Sequence, residues 1–106
     1  MIERIGTYTL RFQEGPAVVS WASVVGKKEA EGPLGEYFDV CHEDTSLGTE
    51  SWEKAESHLQ TESVEKAMKK AMLEPEQLQI IFAGDLLNQC ISSTFGLRDL
   101  RVPFLG

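Results

Sequence analysis

Between Thr7 and Gln13 polar and apolar residues alternate, with Tyr8, Leu10 and Phe12 on one side and Thr7, Thr9, Arg11 and Gln13 on the other. A period of two predicts a half-buried outer strand. Glu14-Gly15-Pro16 is a turn signal, and the stretch from Ala17 to Val25 is almost continuously apolar and rich in β-branched residues. Such a run predicts a strand covered on both faces. From Gly26 to Glu50 glycine, proline and acidic residues dominate, so a long loop with at most a short helical turn is expected. Loops beyond ~12 to 15 residues with no structure of their own are uncommon unless they are functional or ordered by a partner.

The pattern then changes period. Trp52, Ala55, Leu59, Val64, Ala67, Met68, Ala71 and Met72 recur at helical spacing, while Lys54, Glu62, Glu65, Lys66, Lys69 and Lys70 mostly fill the opposite face. Ser51 is placed to cap this helix, with Glu50 and Glu53 at the positive end of its dipole. Pro75 should end it, because its ring and missing N–H forbid a continuing ladder. Ile80-Ile81-Phe82-Ala83 reads as a second buried strand closed by Gly84-Asp85. Leu86 to Leu97 reads as a short helix with Asp85 as N-cap, and Val102 to Leu105 as a third strand that tolerates Pro103 near its start.

Strand, helix, strand, helix, strand predicts an α/β fold: one partial domain over residues 1–106, the β-α-β-α-β part of a mostly parallel layered sheet joined by right-handed crossovers. Those five elements would leave at least one sheet face and one edge without cover.

Composition narrows the partners. Ten Lys+Arg against 17 Asp+Glu leave a net charge of -7, which repels phosphate backbones, so nucleic acid is not an expected partner. No apolar run approaches the ~20 residues that span a bilayer, and the first residues lack the apolar stretch of a signal peptide. The expectation is an intracellular chain. Its two cysteines, Cys41 and Cys90, are expected as free thiols.

Gly84, Asp85 and Asn88 fall where a parallel strand passes its carboxyl end into a helix, the place where open α/β sheets gather ligands. The spacing is neither a G-x-G-x-x-G fingerprint nor a phosphate loop, and Asp85 as a structural cap outweighs Asp85 as a base. Cys41-His42-Glu43-Asp44 offers metal-ligand types, but consecutive side chains diverge and no second cluster has ligand spacing; no metal and no cofactor is assigned. His58 and Glu62, four apart, read as a surface pair on one helix face. Cys90 reads as a small core hydrophobe, and Ser92 and Ser93 lack the G-x-S-x-G setting of an exposed nucleophile. No catalytic residue is assigned.

Two stretches resemble the stage V sporulation protein AD family, a group of thiolase relatives. They are Lys27-Lys28-Glu29-Ala30-Glu31-Gly32-Pro33-Leu34-Gly35, followed by Phe38-Asp39, and Ala83-Gly84-Asp85-Leu86-Leu87-Asn88-Gln89. Ser51-Trp52-Glu53 and Val102-Pro103-Phe104 add to the likeness, which runs over nearly the whole chain. The resemblance implies a thiolase-like fold of two similar halves, of which this chain is the N-terminal portion. It implies binding of dipicolinic acid (pyridine-2,6-dicarboxylic acid) and support of its uptake into the forespore. The implied partners are the other products of the same sporulation operon at the inner forespore membrane and a second copy of the chain. The cysteine and histidines of a thiolase site would lie beyond Gly106, so none is carried over. Asp85 and Asn88, beside Gly84, are the positions expected to shape a pocket or a dimer contact. Two rivals stay open: a fragment of a ketoacyl-synthase-like acyltransferase, and a free-standing interaction module that pairs through an open sheet edge.

Overall fold

The computed structural model describes residues 2–106. The chain opens with an antiparallel hairpin, β1 (Ile2–Ile5) against β2 (Thr9–Phe12), with Ile2 opposite Phe12 and Ile5 opposite Thr9. Gly6 turns the chain at φ +64°, a backbone region that glycine enters without a Cβ penalty. The strand expected around Tyr8 to Phe12 is therefore present with an unforeseen partner. Neither face is buried, however, because every residue in both strands is exposed.

The long strand expected from Ala17 to Val25 shrinks to β3 (Val24–Val25), paired in parallel with β4 (Val40–Cys41). A ladder needs a neighbour, and no strand of the described residues runs beside 17–22. Val18 and Trp21 stay 80% and 72% exposed. Two hydrogen bonds hold this segment to the main helix: the Ser20 hydroxyl donates to the Ala67 carbonyl at 2.8 Å, and the Lys70 ammonium to the Trp21 carbonyl.

The stretch read as a loop is ordered by short elements: α1 (Lys27–Ala30), a 3-10 turn at Gly35–Tyr37, and β4. Gly35 is sterically obligatory, since a Cβ there would sit 2.0 Å from the Ala30 carbonyl oxygen. Asp39 then bolts the stretch down. Its carboxylate accepts from the Ser23 N–H at 2.8 Å and from the Lys70 ammonium at 2.5 Å, and Lys70 also donates to the Trp21 carbonyl at 3.1 Å.

The main helix, α2 (Trp52–Ala71), starts as expected, with Ser51 Oγ accepting from the Lys54 N–H at 3.2 Å. It ends before Pro75. Met72 adopts a left-handed conformation at φ 54°, and the Leu73 N–H reaches back to the Met68 carbonyl at 3.0 Å. That six-to-one bond is a Schellman stop, which satisfies the last carbonyls without any proline. Pro75 instead begins a separate 3-10 turn, Pro75–Gln77.

β5 (Ile81–Phe82) pairs in parallel with β6 (Phe104–Leu105), and α3 (Ile91–Leu97) lies between them in sequence. α3 packs on α2 through polar contacts at small residues. The Ser57 hydroxyl donates to the Ser92 carbonyl at 2.7 Å and the Thr61 hydroxyl to the Gly96 carbonyl at 2.6 Å. Among the described residues Ala55, Met68 and Leu97 are the buried apolar ones, and Ser92 and Ser93 of α3 are fully buried. The architecture is mixed α/β, as expected. The strands of the described residues form three two-stranded sheets, two parallel and one antiparallel, where a single mostly parallel sheet was expected.

Candidate functional site

The segment 84–90 leaves the carboxyl end of β5 and doubles back into α3. The helix begins five residues later than expected, at Ile91, with Cys90 at its N-cap position. Gln89 and Cys90 both hold left-handed backbone, at φ 48° and 64°, a conformation uncommon for residues with side chains. Two such residues in succession need an external tie, and Asp85 supplies it.

Asp85 is half-buried and both of its carboxylate oxygens accept hydrogen bonds. Oδ1 accepts from the Cys90 N–H at 3.1 Å, and Oδ2 accepts from the Ser93 N–H at 3.1 Å and the Ser93 hydroxyl at 2.9 Å. Asp85 thus caps α3 from outside the N-cap position, satisfying donors that the helix start leaves open. Desolvation raises its pKa, but the hydrogen bonds from Ser93, Asn88 and Cys90 outweigh that and hold it below its ordinary value. A carboxylate kept ionised by several donors is a poor proton acceptor near neutrality. Its role in this conformation is to fix the loop.

Asn88 is exposed, and its carbonyl accepts from the Ile91 N–H at 3.1 Å. Gly84 is also exposed, and its carbonyl faces the Gln60 side chain of α2 at 3.4 Å. A Cβ at Gly84 would meet nothing within 4 Å, so the glycine leaves the loop's outer surface bare without being forced sterically. Leu86 projects fully into solvent.

Cys90 departs from the core position expected of it: it is half-buried at the helix start and free, as is Cys41. Its sulfur borders the end of β6, since a Cβ built on Gly106 would lie 3.0 Å from Cys90 Sγ. The loop from Gly84 to Cys90 and the end of β6 therefore converge at the carboxyl edge of the β5/β6 pair. Two participants were not legible beforehand. Ser93 carries the Asp85 contact from eight residues away, and Gln60 reaches the loop from another helix; neither spacing has a sequence signature.

The residues from Cys41 to Asp44 do diverge. The Cys41 thiol donates to the Gly35 carbonyl at 3.5 Å, and Asp44 closes the turn at Ser46 and Gly48. His42 turns to α2.

The family described as stage V sporulation protein AD matches residues 6–106 of this chain. Stage V sporulation protein AD of Bacillus subtilis (strain 168) is 36% identical over 100 residues, which are 94% of this chain and 30% of that protein. The chain spans less than a third of the length of that relative.

Proposed function

The chain belongs to the stage V sporulation protein AD family, and on that premise we propose that it forms the N-terminal part of a thiolase-like protein that binds dipicolinic acid and supports its uptake into the forespore. The observation that carries the reading is the convergence at one edge: the Gly84–Cys90 loop, pinned by Asp85, meets the end of β6 where parallel strands deliver their carboxyl ends. Gly84 and Asn88 are exposed on that loop, as are Leu86 and Leu87 between them.

Asp85 acts here as a positioning residue. Dipicolinate is a dianion at neutral pH, and an ionised Asp85 would repel it if the two were in contact. The segment 84–97 also carries no Lys or Arg. The loop therefore contributes shape, and cationic groups or backbone donors from elsewhere in the protein meet the two carboxylates. No helix of the described residues is long and apolar enough to cross a membrane. By the resemblance, the other products of the same sporulation operon would act with it at the inner forespore membrane.

Calorimetric titration of dipicolinate into the full-length protein tests the reading. Asp85→Ala should weaken binding by about tenfold, the scale set by losing charge-assisted hydrogen bonds that hold a loop. An unchanged affinity would remove this loop from the site.

A further inference from the structure

Outside the Gly84–Cys90 loop, two histidines and a glutamate come together from two elements. His58 and Glu62 stand one turn apart on α2, and His42, the first residue after β4, reaches them from the neighbouring ladder. His42 Nε2 lies 2.5 Å from Glu62 Oε2, and His58 Nε2 lies 4.0 Å from the same oxygen. The two imidazoles meet edge to face with centroids 6.0 Å apart. One donor atom from each of the three lies within 4.8 Å of the other two.

A His42–Glu62 hydrogen bond accounts for one of these contacts. It leaves His58 directed at the same oxygen yet beyond hydrogen-bond reach. We propose that His42, His58 and Glu62 form a site for a divalent transition metal of the zinc class, with three protein ligands and a fourth position open to solvent.

The donor set selects the metal. Two imidazoles and one carboxylate suit zinc and its neighbours, whereas calcium and magnesium prefer all-oxygen cages. Ligands ~2.0 to 2.2 Å from a tetrahedral ion stand ~3.3 to 3.6 Å from one another. The His42–Glu62 separation must open, and the His58–Glu62 separation close, each by about 1 Å at most, which side-chain rotation supplies. The backbone under His42 is anchored, its N–H donating to the Val25 carbonyl at 2.9 Å. The His42 and Glu62 side chains are 26% and 31% exposed, while His58 is 54% exposed, so the cluster is walled on one side and open on the other. His42 also lines a cavity of about 480 Å³ with Lys27, Glu31 and Glu43. Cys41, next in sequence, is turned to the Gly35 carbonyl, so no thiolate joins the set.

The test is zinc titration of the full-length protein after chelator treatment, read by calorimetry and by thermal melting, with cobalt as the optical probe. Wild type should bind zinc at this site, melt at a higher temperature with zinc than without, and show visible cobalt bands of a low-coordinate site. His58→Asn removes a ligand without touching the His42–Glu62 contact, so its melting temperature in chelator should equal that of wild type. Its zinc affinity should fall by more than the ~10 to 100-fold that loss of an outer-shell partner costs. Glu62→Gln should lower zinc affinity by a similar factor, and Cys41→Ser should leave it unchanged. The proposal is overturned if zinc leaves the melting temperature unchanged, if His58→Asn binds zinc as tightly as wild type, or if Cys41→Ser abolishes binding.

Discussion

Single side chains close most of the long gaps in this chain. Asp39 ties the Phe38-Asp39 end of the resemblance to Ser23, the residue before β3, and to α2, and Lys70 is the main reason its pKa is lowered, with the Ser23 N–H next. A carboxylate whose folded pKa lies below its unfolded one adds stability at every pH above the unfolded value, and that stability is lost as pH falls through the folded value. Acid unfolding should therefore set in below the ordinary aspartate value of 3.8. Asp39→Asn should lower the melting temperature at pH 7 and flatten its fall in acid, as calorimetric scans across pH would record. At this scale the sequence was partly readable. Ser51 announced itself as a cap by position and by the helix behind it, whereas Asp85 announced the right task at the wrong distance. Its acceptors are filled by a turn and a helix start whose left-handed residues, Gln89 and Cys90, carry no glycine to mark them.

Among elements, α2 was the most legible, because twenty residues of periodic pattern average over local exceptions. Its end was not, since Met72 stops it through a left-handed cap usually marked by glycine. The contact between α2 and α3 depends on Gly96. A Cβ there would lie 2.7 Å from the Ser57 carbonyl oxygen and 3.1 Å from Thr61 Oγ1. Gly96→Ala would gain up to ~1 kcal/mol of helix propensity, but the clash is with backbone and forces the helices apart at a cost of ~1 to 3 kcal/mol. The expected net result is a lower urea midpoint with loss of the Thr61 to Gly96 hydrogen bond. The strand elements were least legible. An apolar β-branched run shows that a segment can enter a sheet, but whether it does depends on a neighbour that its own residues do not encode, as Ala17 to Ala22 demonstrates.

Across the whole molecule, apolar surface is abundant outside the small core. An open groove of about 580 Å³ runs between Ala17–Ser20 and Ile80–Phe82, with Val64, Ala67 and Ala71 of α2 along it. The hairpin adds Ile2, Leu10 and Phe12, all half or more exposed. Contiguous apolar patches of this kind mark surfaces that another chain segment or partner covers. The 106-residue chain on its own should accordingly be marginally stable and bind a hydrophobic dye, and a sharp thermal transition from a dilute monomer would count against that. Family membership was legible from motif residues because they hold the fold together: Gly35 against Ala30, Asp39 against Lys70, Asp85 against Ser93. The metal-type cluster was not legible, since His42 lies twenty residues from Glu62 and meets it only through the packing of β4 beside α2. The most direct measurement is a crystal structure of the full-length protein grown with dipicolinate. Ligand density in contact with the loop 84–90 at the carboxyl edge of β5 and β6 is the expected result. Clear density at another place, with that edge empty, would contradict the account.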